Sequence, residues 1–436
     1  MESIWADAMP VRFPSLWGEV HTDVLIIGGG IAGLCCAHAL QEAGISCIVA
    51  EQGRLAAGNT LGTTAKVTAQ HGLCYDRLLR RFGTEAAQAY LHGNLAAVDT
   101  IAALARRIDC DFSRASHIVY ARSGVQQLET EALALEKLGY HADFRDNLPL
   151  PFPTDGGIAF PEQGYFHPLK FLSGLASDLT VYENAQILSL SPRLAKTERG
   201  VIHFSKAIFA THFPLLNKRG FYFLKLYQQR SYALSLEGAP IPKDMYLEEG
   251  GLSLRPAGNR LLLSGGGHRT GKPGGGWQVP EAAAQRYFPE GVITARWAAQ
   301  DCMTLDGLPY VGQYSKTTPW LYVATGFNKW GMTNSMVAAQ LLTSLILGLS
   351  HPLRELLSPQ RPMLCPQLAV NIGESAKNLL APGLHRCTHM GCRLRWNPQE
   401  HSWDCPCHGS RFSPHSEVLN EPATRPLPFF LRKQEK

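Results

Sequence analysis

Six residues near the end of the chain carry metal-binding side chains at close spacing. They are Cys387, His389 and Cys392 in CTHMGC, and Cys405, Cys407 and His408 in CPCHGS, with fifteen residues between His389 and Cys405. Four thiols and two imidazoles exceed the needs of a tetrahedral site, for which two Cys and two His are enough to hold zinc. A second chemical signature opens the chain. Residues 23–27 form a short β-rich apolar run that leads into Gly28-Gly29-Gly30-Ile31-Ala32-Gly33 and the helical pattern LCCAHALQEAG. In a strand, glycine turn and helix of this kind, Gly28 permits the tight turn and Gly30 lets backbone approach a pyrophosphate. Gly33 lets helix pack on strand, and the helix N-terminus faces the phosphate charge. A second strand, ISCIVAEQ, ends at Glu51, eighteen residues after Gly33, where a carboxylate can accept hydrogen bonds from ribose hydroxyls.

The elements that must position these groups need room. At 436 residues the chain exceeds the size at which one core keeps growing, so two or three domains are expected. An apolar share of 45% and a charged share of 18% are those of an ordinary globular protein. The net charge of +5 is small for this length and its basic residues are scattered, which argues against a nucleic-acid partner. The first twenty residues contain no export signal, so the expected location is cytoplasmic. The longest apolar run, MVAAQLLTSLILGL, falls short of the ~18 residues that argue for a membrane span, so no span is expected. Cys35, Cys36, Cys47, Cys74, Cys110, Cys302 and Cys365 are dispersed, as buried thiols in a reducing compartment are.

The far end of the first signature decides which dinucleotide it holds. There the chain reads TLDGLPYVGQY and then WLYVATGFNKWGMTNS. Residues 320–324 read as a strand, 325–330 as a loop, and Gly331 opens a long apolar helix whose positive end can face a flavin ring. An N-terminal cradle paired with a late D-G-x-P segment and a glycine-opened helix resembles the D-amino-acid oxidase, glycine oxidase and sarcosine oxidase superfamily, over roughly residues 20–350. The resemblance implies FAD, held by Gly28, Gly30, Ile31, Ala32, Gly33 and Glu51, and at the late segment by Gly326, Phe327, Gly331, Met332 and Thr333. Residues 58–75, GNTLGTTAKVTAQHGLCY, sit where that superfamily passes the pyrophosphate and isoalloxazine, which makes Thr63, Thr64, Lys66 and His71 candidates. Hydroxyls in such a loop also make turns and caps without touching any cofactor.

The two cysteine-rich stretches resemble the cluster-binding loops of Rieske [2Fe-2S] proteins of the respiratory and photosynthetic type, in which two Cys hold one iron and two His the other. By position, the resemblance makes Cys387 and Cys405 ligands of the first iron and His389 and His408 ligands of the second; it implies a disulfide between Cys392 and Cys407. Zinc is the alternative occupant. Rieske potentials span roughly −150 to +300 mV and rise with hydrogen bonds to the sulfurs. Ser410 keeps the hydroxyl of the high-potential members, but Phe412 stands where they have tyrosine, so a potential below the respiratory type is expected. Only about two dozen residues precede Cys387 after the proline-rich linker, so the base of this domain is expected to be trimmed or completed by packing on the flavin domain.

TTAKVTAQHG, YFHPLKFL and the terminal Rieske module together resemble bacterial FAD-dependent oxidoreductases with a C-terminal Rieske domain, over essentially the whole chain. The expected fold is α/β: a Rossmann-like FAD-binding domain with an inserted α+β substrate domain, followed by a small all-β Rieske domain. FAD-binding segments are expected at about 20–80, 160–212 and 300–350, the substrate domain at 80–160 and 215–300, a linker at 351–366 and the Rieske domain at 367–436. A flavin takes two electrons from a C–H bond and can release them singly, whereas a Rieske cluster takes one, so the fusion implies a relay. It would run from a small-molecule CH–NH or CH–OH donor through FAD and cluster to an external acceptor, a redox protein or quinone. The alternatives are a non-catalytic electron carrier or redox sensor, and a flavin oxidase with structural zinc. Amino-acid oxidases of the superfamily commonly hold the substrate carboxylate with an arginine five residues before the aspartate of D-G-x-P; here that position is Asp301, which suits a cationic amine unless it is a turn residue or paired with Arg296. Tyr232, Arg255 and His268 are the other pocket candidates. Cys302 lies near the region where some sarcosine oxidases attach flavin, with a buried structural thiol as the default.

Overall fold

The computed structural model describes residues 3–8, 11–216 and 218–428; residues 429–436 of the expected Rieske domain lie outside them. The apolar run before the glycine turn becomes the strand Gly18–Ile27, exposed at its start and buried from Val24 onward. It is the inner strand of a sheet ordered Tyr310–Gln313, Leu321–Thr325, Gly200–Phe209, Gly18–Ile27, Cys47–Ala50, Val181–Tyr182. All pairings along this path are parallel except that of Tyr310–Gln313 with Leu321–Thr325. The register places Ile26 between Val49 and Ile208. A strand with neighbours on both edges and helices above must be apolar on both faces, which is why it reads as a continuous run. Helices Ile31–Glu42 and Gly331–Ile346 pack against each other on this sheet. Cys35 and Cys36 are fully buried in the first of them, where burial pushes the Cys35 thiol up to about 12. These dispersed cysteines are core residues.

A second sheet of nine strands roofs the first, in the order Val292–Thr304, Leu226–Glu237, Arg260–Arg269, Ser253–Ala257, Met245–Glu248, Ser113–Ala121, Gly156–Tyr165, Lys66–Val67, with Asp143–Arg145 paired on Gly156–Tyr165. Lys66–Val67 and the end of Gly156–Tyr165 join this roof, although the sequence places them in FAD-binding segments. The stretch 351–366 is packed rather than loose: Arg361 is buried and forks onto Asp306 at 2.7 and 2.8 Å.

The C-terminal sheet is small, antiparallel and ordered Arg395–Asn397, Ser402–Asp404, Arg411–Phe412, Val418–Asn420. What precedes it is a helix, Pro366–Leu380, which proline opens at its first turn. Asn371 of this helix donates to the carbonyl of Leu224 at 2.9 Å, and Glu374 pairs with Lys272, so the base of the small domain is completed by the larger one. Among the described residues no helix is long and apolar enough to cross a membrane.

Candidate active site

Three glycines shape the cradle for different steric reasons. Gly28 has φ +111°, and a Cβ there would stand 2.6 Å from the Ala210 carbonyl oxygen. At Gly33 a Cβ would stand 1.9 Å from the Gly28 oxygen, so only glycine lets the helix lie this close to the strand. Gly30 is the extended N-cap and offers no side-chain cap, so the N–H of Ile31 donates instead to Thr60 Oγ1 at 3.2 Å. Glu51 accepts from the N–H groups of Gly29 at 2.7 Å and Gly53 at 2.8 Å. Burial raises its pKa while these donors oppose the shift, and its carboxylate is fixed at the end of its strand.

Between the two sheets runs a cavity of about 1510 Å³. Gly28, Gly30, Ile31, Ala32, Glu51, Thr63, Thr64, Lys66, Gly326, Phe327, Gly331 and Met332 all lie on its wall. Gly33 and Thr333 stand behind it. The Thr333 hydroxyl donates to the Thr68 carbonyl at 3.0 Å and contacts His71 Nε2 at 3.0 Å. The roof over the cavity is made of small side chains, among them Ser231, Ala233, Ser253 and Ser264 with Gly265 and Gly267. The volume, the glycine cradle and the anchored carboxylate fit a dinucleotide with space left over one face.

The polar groups of the wall are mostly spoken for. Lys66 Nζ donates to the Tyr246 carbonyl at 2.8 Å and to Ser253 Oγ at 2.6 Å; burial, then the neighbouring Arg255, holds its pKa well below the usual lysine range. His71 stacks on Trp330 with ring centroids 5.0 Å apart and contacts the Tyr90 hydroxyl at 2.8 Å; burial lowers its pKa to about 3, so it stays neutral. Asp301 is paired with Lys329 at 2.9 Å and accepts from Ser231 at 2.7 Å. Burial would raise the Asp301 pKa, but the Lys329 ammonium and Ser231 hydroxyl hold it below the usual range. Arg296 pairs instead with Glu281, which corrects the ion pair considered from sequence. Lys329 and Asn328 are both in the left-handed region, at φ 74° and 49°, and Asn328 is pinned by Thr304, whose N–H donates to Asn328 Oδ1 at 2.8 Å. That turn aims Lys329 at Asp301.

Two of the proposed pocket residues lie elsewhere. Arg255 is buried under the rings of Trp5 and Tyr165, with Nη1 donating to the Pro256 carbonyl, and does not reach the cavity. His268 also lies off the wall, stacked on Tyr232 at 5.7 Å. Tyr232 touches the cavity, but its hydroxyl is committed to Glu400 at 3.0 Å. Cys302 is a buried thiol 3.8 Å from Thr325 Oγ1, and burial pushes its pKa up to about 12.

The two cysteine-rich loops are built alike. In the first, Gly391 N–H donates to the Cys387 carbonyl and Cys387 N–H to the Cys392 carbonyl, both at 2.9 Å; in the second, Gly409 N–H donates to Cys405 and Cys405 N–H to Ser410, again at 2.9 Å. Gly391 and Gly409 close these turns at φ 80° and 88°. The loops bring the rings of His389 and His408 to 4.9 Å, perpendicular to each other. The sulfur atoms of Cys392, Cys405 and Cys407 lie within 4.8 Å of one another. Cys392 and Cys407 are buried, free thiols in this structure and face each other across the two loops. His408 is 1% exposed, yet neither ring nitrogen has a hydrogen-bond partner. A buried imidazole left unsatisfied is costly, and a metal ion bound at a ring nitrogen removes that cost.

The loops sit on the cavity. Gln300, on the cavity wall, donates its side-chain amide to the Gly409 carbonyl at 2.9 Å, and Phe213, also on the wall, meets the His389 ring at 6.3 Å. Val418, Asn420 and Glu421 of the small domain line the same cavity. Sequence reasoning missed Gln300, Lys329, Trp330, Arg361 and Glu400, whose partners are remote along the chain.

Residues 23–345 match the family described as FAD dependent oxidoreductase, and residues 368–431 match the Rieske [2Fe-2S] domain. The Bacillus subtilis (strain 168) protein YhfW, named as a Rieske 2Fe-2S iron-sulfur protein, is 33% identical over 98% of this chain and 97% of its own. A cytochrome b6-f complex iron-sulfur subunit of Nostoc sp. is 51% identical over 41 residues, 9% of this chain and 23% of that one. Among solved structures, the fold is similar to that of glycine oxidase from Geobacillus kaustophilus, with TM-score 0.67, 19% identity, 79% of this chain and 99% of that chain covered. It is also similar to L-proline dehydrogenase from P. horikoshii, with TM-score 0.67, 16% identity, and 80% and 98% covered.

Proposed function

Because the chain belongs to the FAD dependent oxidoreductase family and ends in a Rieske [2Fe-2S] domain, we propose that it is a dehydrogenase that oxidises a small CH–NH or CH–OH donor and delivers electrons singly to an external redox protein or quinone. When bound, FAD supplies two-electron oxidation of a C–H bond and the cluster supplies one-electron transfer. The observation that carries this reading is the Gln300 side chain, which belongs to the cavity wall and to the hydrogen bonding of the Cys405 loop at once.

The residues have separable tasks. Gly28 and Gly30 would admit the pyrophosphate, Glu51 would accept from the ribose hydroxyls, and the N-terminus of Gly331–Ile346 would supply positive potential to the flavin. The small side chains of the roof leave the donor its volume. Asp301, already neutralised by Lys329, presents a polar but uncharged pair to the donor, which withdraws the preference for a cationic amine inferred from sequence. Cys387 and Cys405 would hold one iron and His389 and His408 the other, with the Cys392 and Cys407 sulfurs within 4.8 Å of each other beside them. The working division is an oxidoreductase domain over 1–350, a packed linker over 351–366 and the Rieske domain over 367–436, in a cytoplasmic protein.

Anaerobic screening of amines, amino acids and alcohols tests the proposal. A donor that bleaches the flavin is expected to reduce the cluster in the same reaction, followed by electron paramagnetic resonance. Flavin bleaching with a cluster that stays oxidised, or metal analysis that finds zinc without acid-labile sulfide, would sink it.

A further inference from the structure

The two cluster loops differ in exposure. Every residue from Cys405 to Ser410 is buried, whereas Thr388, His389, Met390 and Gly391 are partly exposed between two buried cysteines. The second loop meets the cavity wall through Gly409; the first meets it through His389 against Phe213 and also reaches the surface. If electrons reach the cluster from the cavity, as proposed above, the surface edge of His389 is where they can leave.

The surface around that edge has a definite character. On one side residues 212–216 and 218–225 expose Leu215, Leu216 and Phe221, the last 58% exposed, and hold Lys218 close enough to His389 to act on it electrostatically. On the other side Leu380 is 85% and Leu384 73% exposed, and Arg386 ties them to the loop by donating to the carbonyls of Leu379, Ala381 and Gly391 at 2.9, 2.6 and 3.0 Å. Thr388 is anchored on the carbonyl of Arg425 at 2.6 Å. The segment 212–225 contains no acidic residue, and the single acid of 364–396, Glu374, is taken by Lys272. Lys218, Arg219, Lys377, Arg386, Arg393 and Arg425 thus outnumber the acids of the segments that carry them, Glu374, Glu417 and Glu421, and these segments also expose the apolar side chains.

We propose that this collar is the docking surface for the terminal acceptor, and that the acceptor is a small acidic one-electron carrier protein. An apolar centre rimmed by charge of one sign fits a transient redox partner: the centre excludes water and the rim steers a partner of opposite sign. The transfer balances as one electron, from the reduced cluster to the oxidised metal centre of the carrier, with no bond made or broken.

The test uses the holoprotein, reduced anaerobically by light so that no donor is needed. It is mixed with an acidic bacterial cytochrome c, a basic mitochondrial cytochrome c and decylubiquinone, and its affinity for the oxidised acidic cytochrome and for phosphatidylglycerol vesicles is measured separately. The acidic cytochrome is expected to be reduced fastest, with a rate that falls as salt rises. Lys218→Glu combined with Arg219→Glu should lower that rate and the affinity about tenfold or more at low salt, with the cluster spectrum unchanged. Leu380→Ser should weaken binding without altering its salt dependence. Equal rates with both cytochromes, a charge-reversed variant that behaves as the parent, or capture by vesicles in place of the cytochrome would overturn the proposal. Failure of the underlying reading looks different: a donor reduces the flavin and the cluster remains oxidised.

Discussion

The Arg230 guanidinium and the Glu400 carboxylate meet across the boundary between the flavin-binding part and the iron-sulfur head, with side chains only 4% and 11% exposed. Glu400 also pairs with Arg411 at 3.0 Å and accepts from the Tyr232 hydroxyl, while Arg411 reaches Asp404 at 3.0 Å. Burial opposes ionisation of Glu400, but the two guanidinium groups hold its pKa below the usual range. Glu400 thus bridges two buried guanidinium groups, with Asp404 completing the charge balance at Arg411, and fixes the head in place.

Removing that carboxylate strands the Arg230 guanidinium, while Arg411 keeps Asp404. Glu400→Ala should cost about 3–5 kcal/mol, the usual penalty for breaking a buried pair from one side. A lowered melting temperature of the holoprotein together with slower flavin-to-cluster transfer is the expected pair of results. An unshifted melting temperature would show that the network does not hold the head.

Flavin retention should depend on Gly33 more sharply than on any other glycine of the cradle. Its added Cβ would meet backbone at 1.9 Å, and neither the Gly28 carbonyl nor the helix can withdraw without opening the turn. Gly33→Ala should be isolated with little or no flavin while keeping iron and sulfide in the small domain, as read from the flavin-to-iron ratio. Full flavin content in this variant would contradict the steric argument.

The cluster potential is set by donors to its sulfurs. Ser410 lies against Cys387, and its Oγ accepts from the Ala423 N–H at 3.0 Å, which leaves the hydroxyl proton to donate. A hydrogen bond worth about 1–2 kcal/mol more to the reduced state shifts a one-electron potential by roughly 40–90 mV. Ser410→Ala should lower the midpoint by that order and Phe412→Tyr should raise it, measured by a redox titration. A Phe412→Tyr protein with an unchanged midpoint would remove the stated reason for a potential below the respiratory type.

Stability should fall in acid partly through His71. Its folded pKa is about 3, against about 6.5 in the unfolded chain. The unfolded state therefore binds the proton first, so the contribution is intact above pH 6.5 and is lost as pH falls toward 3. Between pH 7 and pH 4 the loss is about 3 kcal/mol. His71→Gln should flatten that part of the curve in urea unfolding at the two pH values. Parallel curves for parent and variant would mean that His71 is not buried as a neutral ring.

Several assignments made from sequence stayed within one turn of chain. Gly33 against Gly28, or Cys387 against Cys392, meet partners a few residues away, so spacing alone carries their geometry. The errors have the opposite origin. Arg255 and His268 lie off the cavity because the rings of Trp5 and Tyr165 and the Tyr232 ring claim them from elsewhere in the fold, and Tyr232 lines it with its hydroxyl committed to Glu400. Arg361 on Asp306 is 55 residues distant and Arg230 on Glu400 is 170, beyond anything periodicity registers. The helix Pro366–Leu380 likewise depends on a surface it packs against, the carbonyl of Leu224 and the ammonium of Lys272.

The sequence by itself therefore determined the chemistry: a dinucleotide cradle and a pair of iron-binding loops, because such motifs are local arrangements of backbone and a few ligating atoms. Tertiary structure alone decided how the two are joined. The shared cavity, the buried Glu400 between two arginines and the one exposed edge of the first loop all arise where strands far apart in the chain are packed side by side, and burial there chooses which charges survive and which partner each one takes.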